Sequence, residues 1–541
     1  PEAFTREQRV HPVPGVPSPR WQASPAPEVW LSSVVWEGSD APPVEWFTSA
    51  ASAFLEKAYA RLEGRQPICG RQLPLLALPV IGTGSSGGKP SSGALLSALL
   101  LLLMTFVSTH PVDVVLVTKS RRMFSAAQSV RARLQPLSSL TAASHGASLG
   151  PRLLASAERL SELAVSGQLV FFLGSGTSQT NSMPGWSELL TELAELAGFS
   201  KIELQQLKRL ELKDQAFVLQ HRLGTQALCT TDDTCDVAEP SPEAVQEAGR
   251  AALQRLAVSR LATNRYSVTH ALLATIPHSA TVTTNSDLCY DAACDAANIE
   301  VVVLPYESRV PGSDAPGRWL LKLHGDVDHP EDIILTYSSS TTAYGYEREA
   351  LSGIVQALLI TKHMLFVGFS LTDDAFNQVA ATVRRALNPD EPSQQQKAEP
   401  QRQPPPSQQQ QSEEESRSGP TFGSALTLSD RPFMADLYPE INAVPMGEGL
   451  SQGKDDRKAR RRRLEVLLDR VSLLTTDTST HLLDPTFAGA FTQADLELKR
   501  EIDAFVAELA TDERATSAEA FEEVTRMLTS LGLPVEMLPR R

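Results

Sequence analysis

His324, Asn285, Asp287 and two glycine turns are the residues of this chain whose types and spacing could do chemistry. His324 follows the apolar run Leu320 to Leu323 and precedes Gly325, which puts it at a strand end rather than on a helix face. An imidazole titrating near neutrality there can take a proton from a hydroxyl or an attacking water. In Thr283-Thr284-Asn285-Ser286-Asp287, the amide and the carboxylate alternate. On extended backbone both therefore face one side, an arrangement suited to a ligand with amide and ribose groups. The competing reading makes them a cap and turn ahead of a helix from Leu288 to Ala297.

Gly174 and Gly176, in Val170-Phe171-Phe172-Leu173-Gly174-Ser175-Gly176-Thr177-Ser178, let the main chain approach an anion without a Cβ clash. A helix beginning near Trp186 to Glu188 would add free N–H groups and a positive dipole end, making a pyrophosphate cradle. An ordinary glycine strand-to-helix turn is the alternative. Trp186 either packs on a ring of the ligand or anchors that helix in the core.

These residues need a scaffold that brings them together. Each motif, together with Leu365-Phe366-Val367-Gly368-Phe369-Ser370-Leu371, is an apolar run that stops abruptly at Gly, Ser, Asn or His. Buried parallel strands look like this where their C-terminal ends meet a ligand crevice. The pattern predicts an α/β fold with a Rossmann-like parallel sheet. Upstream, Leu73 to Ile81, the loop Gly82-Thr83-Gly84-Ser85-Ser86-Gly87-Gly88-Lys89-Pro90, a helix from Gly93 to Val107 and the strand Val112 to Thr118 predict a second, smaller βαβ module. It is not a P-loop, because Thr83 and Pro90 stand where that motif needs Gly and Ser or Thr.

In order and type the four motifs resemble the SIR2-like, sirtuin-related family over roughly residues 155 to 385. The resemblance implies that Gly174, Ser175, Gly176 and Ser178 lie under the dinucleotide phosphates. It also implies that Thr284, Asn285 and Asp287 hold the nicotinamide ribose and carboxamide, that His324 is the catalytic base, and that Gly368 and Ser370 contact the adenosine ribose. Trp186 joins the implied cofactor-binding set, and Asn285, His324 and Asp287 form the catalytic one.

Departures from the deacetylases narrow this reading. Their zinc ribbon of paired Cys-x-x-Cys is missing: the five cysteines are Cys69, Cys229, Cys235, Cys289 and Cys294, all before His324. No zinc is expected. Thr284 replaces the usual Gln, and Trp186 stands where they carry Asp-Phe-Arg. The chain is most similar in these respects to the branch that consumes NAD, whose chemistry is cleavage of the N-glycosidic bond to nicotinamide and which oligomerisation controls. A homo-oligomer or filament is thus the expected partner state. The alternatives are a catalytically weak NAD or ADP-ribose sensor and a protein deacylase or ADP-ribosyltransferase. The upstream loop looks like the diphosphate loop of macro domains, which offers a second ADP-ribose site at Gly82, Thr83, Gly84, Gly87 and Gly88, or a purely structural module.

Composition bounds the rest. A net charge of −15 and a pI near 5.3 argue against a nucleic-acid partner. Few, odd-numbered cysteines fit a reducing, cytoplasmic setting. The apolar stretch Ala94 to Val107 reads as a buried helix too short for a membrane. Arg460 to Arg463 read as a nuclear-import signal, a partner-binding patch or a solvated helix face. The expected layout is a flexible segment at 1–28, a macro-like or Rossmann-like module at 29–140, and the SIR2-like domain at 150–475. Within that domain lie a helical subdomain at 198–262 and a disordered insertion at 388–420, followed by further strands near Gly423 to Leu428 and Ile441 to Met446. A C-terminal helical region at 476–541 closes the layout, its helices from Gln493 to Leu531 assigned to intermolecular or interdomain packing.

Overall fold

A computed structural model describes residues 10–13, 27–142, 149–179, 183–229, 240–307, 317–335, 346–387, 421–429, 433–448, 450, 456–511 and 518–531, apart from 37, 39 and 264. The insertion at 388–420 and most of 1–28 fall outside them. Two compact units form: a terminal unit of Pro1–Leu149 with Arg461–Arg541, and a central unit of Gly150–Arg460.

In the terminal unit, strands β1 (Val10–Val13) and β2 (Val29–Ser32) pair antiparallel, while β3 (Leu75–Pro79) and β4 (Asp113–Val117) pair parallel. The helix between β3 and β4 exceeds the expected length. With its first 3-10 turn it runs from Lys89 to Thr109, 21 residues of mean hydropathy 1.9, long and apolar enough by composition alone to cross a membrane. One face, Leu96, Leu99, Leu100, Leu103 and Phe106, is buried in the unit's core.

That core corrects the expected C-terminal boundary. Phe487 and Ala490 belong to it, beside Leu55, Leu78 and Leu99, so the stretch after 475 completes the N-terminal module instead of standing apart. Helix Asp456–Thr475 buries Leu464, Leu467, Leu468 and Val471 as its apolar spacing predicts. Its arginines are not a solvated face. Arg460 and Arg463 are buried, Arg460 Nη1 donates to the Leu428 carbonyl, and Arg462 Nε pairs with Asp113 at 2.8 Å. Their partners lie far away in sequence, which a local charge run cannot reveal.

The central unit is built on a seven-stranded, all-parallel sheet: β5 (Leu169–Leu173), β6 (Ala280–Thr283), β7 (Val301–Leu304), β8 (Arg318–Lys322), β9 (His363–Val367), β10 (Gly423–Thr427) and β11 (Ile441–Pro445). The spatial order is β11-β10-β9-β5-β6-β8-β7. From β5 the chain first builds the β6, β7 and β8 side and then returns to build β9, β10 and β11 on the other, so the sheet reverses between β5 and β9, and the crevice above such a reversal is where open α/β sheets bind ligands. β5 and β9 are fully buried, hence their continuous apolar sequences. The edge strand β7 was not singled out in the sequence.

Four helices between β5 and β6 make the subdomain: Trp186–Leu196, Lys201–Leu207, Leu212–Cys229 and Pro242–Leu261. They pack around Leu190, Leu193, Leu219 and Leu253. The subdomain thus begins a helix earlier than residue 198. The stretch Thr225 to Pro242, which its sequence marks as a loop at the subdomain's tip, is helical as far as Cys229, and 230–239 lie outside the described residues.

Candidate functional site

The loops after β5 and β9 meet backbone to backbone. Gly176 N–H donates to the Gly368 carbonyl at 2.9 Å, and Gly174 N–H donates to the Val367 carbonyl at 3.0 Å. A Cβ on Gly174 would stand 2.6 Å from the Gly368 oxygen, and one on Gly368, whose φ is +65°, would stand 2.2 Å from the Thr177 nitrogen. Glycine is required because the two strand ends touch. A single helical turn, Ser175–Ser178, follows directly, so the expected cradle does not wait for the helix at Trp186. That helix is instead capped by Glu188, which accepts from Gly185 N–H at 2.9 Å. Trp186 packs against the subdomain's apolar cluster, the contact of an anchor.

Asn285 reaches across this junction. Its Nδ2 donates to the Gly174 carbonyl at 3.1 Å and to Ser178 Oγ at 3.2 Å. A carbonyl can only accept, so the amide orientation is settled and Oδ1 faces away. That oxygen is buried and has no hydrogen-bond partner. A buried acceptor left unmade costs about 1–3 kcal/mol, which marks it as waiting for a donor. Asp287 has a structural use as well: its Oδ1 accepts from Cys289 N–H at 3.0 Å, capping the helix Cys289–Ala296. The cap reading therefore holds for the carboxylate but not for the amide. Thr284 N–H donates to the Leu173 carbonyl at 3.3 Å, which stitches the end of β6 to that of β5.

His324 is brought to the same edge. Leu323 N–H donates to the Thr283 carbonyl at 2.9 Å, and Val327 N–H donates to the Ser286 carbonyl at 3.0 Å, which ties the two loops together. The imidazole is half-buried and lines a pocket with Phe172, Leu351, Val355, Asp373 and Phe376. Beneath it, the buried Lys322 ammonium pairs with Asp291 at 2.9 Å and with Asp326 at 3.5 Å. Burial pushes the Asp291 carboxyl up against the opposing pull of Lys322. Gln254, from the helical subdomain, donates to the Glu331 and Ile333 carbonyls at 3.0 and 3.1 Å and clamps the loop after His324.

On the β9 side, Ser370 is exposed and bonds Thr372 Oγ1 at 2.7 Å. Leu371 carries a φ of +61°, and its carbonyl accepts from the Tyr438 hydroxyl at 2.5 Å. Ser175 is exposed on the first turn.

Sequence reasoning passed over His270, which is 1% exposed beneath Ser178 and Asp287. Burial lowers its pKa to about 4, against the opposing pull of the Asp287 carboxylate, so the ring is neutral at pH 7. The available signal was local: Ser267 and His270 have the spacing of a capping box. One donor atom each from His270, Asp287 and Cys289 lie within 4.8 Å of one another, a set of metal-ligand types. Ser267 N–H and the Ser267 hydroxyl both reach His270 Nδ1, at 3.3 and 2.8 Å, which keeps the ring hydrogen on Nε2. A metal on Nε2 would have to displace that hydrogen and break the cap.

The second glycine loop is filled differently. A Cβ on Gly82 or Gly88 would meet the Phe47 ring at 2.5 or 2.8 Å, while Gly84 faces open space. Gly88 N–H donates to the Gly82 carbonyl at 3.1 Å and Thr83 Oγ1 donates to the Val80 carbonyl at 2.8 Å. Gly87 has a φ of +86°. Among the described residues only two strands, β3 and β4, form the sheet behind this loop.

Comparison with known proteins agrees with the central sheet. The SIR2-like domain family matches residues 279–419, which carry Asn285, Asp287, His324, Gly368 and Ser370. The NAD(+) hydrolase ThsA of Enterococcus faecium is 23% identical over 240 residues, 43% of this chain and 44% of that protein. The NAD(+) hydrolase ThsA of Bacillus cereus (strain MSX-D12) is 29% identical over 126 residues, 23% of this chain and 26% of that protein. The chain thus spans less than half the length of these curated relatives. Over residues 279–419, which hold the Asn-x-Asp segment, the strand-end His and the Gly368 strand end, this chain is similar to the SIR2-like domain family.

Proposed function

We propose that the chain binds NAD at this strand-end junction and hydrolyses its nicotinamide N-glycosidic bond, giving nicotinamide and ADP-ribose or a cyclic product. The observation that carries the reading is the Asn285 amide, anchored through Nδ2 and presenting a buried Oδ1 that lacks a donor. An amide or ribose hydroxyl of the nucleotide supplies that donor. As the glycosidic bond lengthens, positive charge gathers on the ribose, and the neighbouring Asp287 carboxylate favours that oxocarbenium-like state. His324 accepts the proton of the attacking water or ribose hydroxyl while nicotinamide leaves with the bonding pair. The names of the similar NAD(+) hydrolases support the same class of reaction.

Incubation of the purified full chain with NAD, followed by chromatography, tests this directly. Nicotinamide appearing with ADP-ribose or its cyclic form, and abolished by Asn285→Ala, is the expected result; intact NAD would end the proposal. Control by self-assembly is the finer part of the reading. Light scattering with and without NAD, on the full chain, should show a larger species that tracks turnover.

A further inference from the structure

His270 has no part in the hydrolysis just described, yet its bonds point into the site. Ser267 Oγ accepts the His270 backbone N–H at 3.4 Å as a helix cap, so its own hydrogen is free to donate to Nδ1, 2.8 Å away. Ser267 N–H, which can only donate, approaches the same Nδ1 at 3.3 Å. Two donors on Nδ1 leave the ring hydrogen of the neutral imidazole on Nε2. Nε2 lies 3.5 Å from Ser178 Oγ, the outer limit of a hydrogen bond, and Asn285 Nδ2 donates to that same oxygen at 3.2 Å.

Ser178 is 2% exposed, and two nitrogens approach its oxygen, Asn285 Nδ2 at 3.2 Å and His270 Nε2 at 3.5 Å. With both nitrogens donating, its hydroxyl hydrogen is left to act as a donor. Beside it stands the unpartnered Asn285 Oδ1 acceptor. We propose that His270 is a positioning residue: with Asn285 it turns the Ser178 hydroxyl into a fixed donor, and Ser178 and Asn285 together read a ligand group that offers one acceptor and one donor. This rests on the NAD reading above and adds a specificity device to it. Two groups of the dinucleotide have that chemistry, the primary carboxamide and a ribose diol. A carboxylate in place of the carboxamide keeps the acceptor and loses the donor.

The test measures NAD binding to the full chain by calorimetry, alongside steady-state turnover. Ser178→Ala and His270→Leu should each weaken NAD binding by about tenfold, the worth of one good hydrogen bond. His270→Gln, which can present an N–H at a similar reach, should recover most of the loss. The double variant should bind no worse than Ser178→Ala alone, because His270 acts through that hydroxyl. Additive losses, or a Gln variant as poor as Leu, would overturn the proposal and leave the hydrolysis reading standing. A wild-type chain that binds NAD without cleaving it would do the reverse. Should His270→Leu fail to fold, nitrogen NMR of the wild-type histidines decides: the hydrogen must sit on His270 Nε2, and an Nδ1–H tautomer refutes the scheme. The nicotinic-acid analogue of NAD and a deoxyribose analogue form the last arms. Because the carboxylate keeps the acceptor that Ser178 reads and loses only the donor that Asn285 Oδ1 reads, the analogue that binds the wild-type chain more weakly than NAD identifies the group being read, and two analogues that both bind as tightly as NAD reject the paired readout.

Discussion

The chain contains two strand–glycine–helix turns that look alike in sequence and are filled by different things. After β5, glycines are needed because another strand's backbone, Gly368 and Phe369, stands where a side chain would go. Above that contact a polar atom, Asn285 Oδ1, is left without a partner. After β3, glycines are needed because the ring of Phe47 fills the loop, and the loop's own Gly82 carbonyl takes the Gly88 N–H. A glycine loop is therefore informative about ligands only when what occupies it is known. One of these loops borders unsatisfied polar chemistry; the other wraps a hydrophobic plug.

If that contrast is right, the largest effect belongs to the polar side of the central junction. Asn285→Ala or His324→Ala should lower NAD turnover by about a thousandfold with the melting temperature nearly unchanged. Near-normal turnover in either would remove that residue from the mechanism. Next comes the plug. Phe47→Ala should destabilise the terminal unit by about 3–4 kcal/mol in urea unfolding of the full chain, while NAD turnover of the folded fraction stays intact. A fall in turnover per folded molecule would instead tie the N-terminal loop to the chemistry. Gly174→Ala should cost about 3 kcal/mol, because its Cβ meets rigid backbone at 2.6 Å.

Acid separates the units more gently. Burial holds the pKa of His270 at about 4, of His278 at about 3 and of His363 at about 4, all in the central unit, whereas the terminal unit has His481 shifted in the same direction. Each folded pKa lies below the unfolded value of 6.5. The unfolded chain therefore takes up protons first, and stability falls as pH drops from about 6.5 towards 4, by at most about 1.4 kcal/mol per pH unit for each histidine. Denaturant titrations between pH 7 and 4.5 should show the central unit losing more; equal losses would contradict the burial assigned to these rings. The smallest effect is expected at Gly84, which faces open space. Gly84→Ala should change stability by under about 1 kcal/mol. Protection of this loop by ADP-ribose in hydrogen exchange, lost in that variant, would show that the plugged loop binds nucleotide after all.

What the sequence disclosed follows from locality. β5 and β9 were legible because strands buried on both faces must be apolar throughout, and Asn285 and His324 because such strands stop at polar residues. β7 escaped notice as four half-buried residues in a row without alternation. Phe487 gave no sign that it belongs to a core most of whose members lie hundreds of residues earlier. The same holds for Arg462 and Asp113: a run of arginines reads as solvated until its distant carboxylate is located. At the site itself, residue types were visible, but the choice of Asn285 Nδ2 as anchor and Oδ1 as free acceptor depends on Gly174 and Ser178 standing beside it.

The terminal unit's membership has a consequence for how the protein is made. Its core needs Leu99 and Phe106 from the first part of the chain and Phe487 and Ala490 from the last. During synthesis the central sheet can close once β11 has emerged, while the apolar face of the helix Lys89–Thr109 must wait for Phe487. Domains generally fold as units in the order they leave the ribosome, so here the later-completed unit is the one begun first. That interval exposes the most apolar helix described in the chain, and chaperone binding to nascent chains should be strongest between the emergence of Thr109 and that of Ala490.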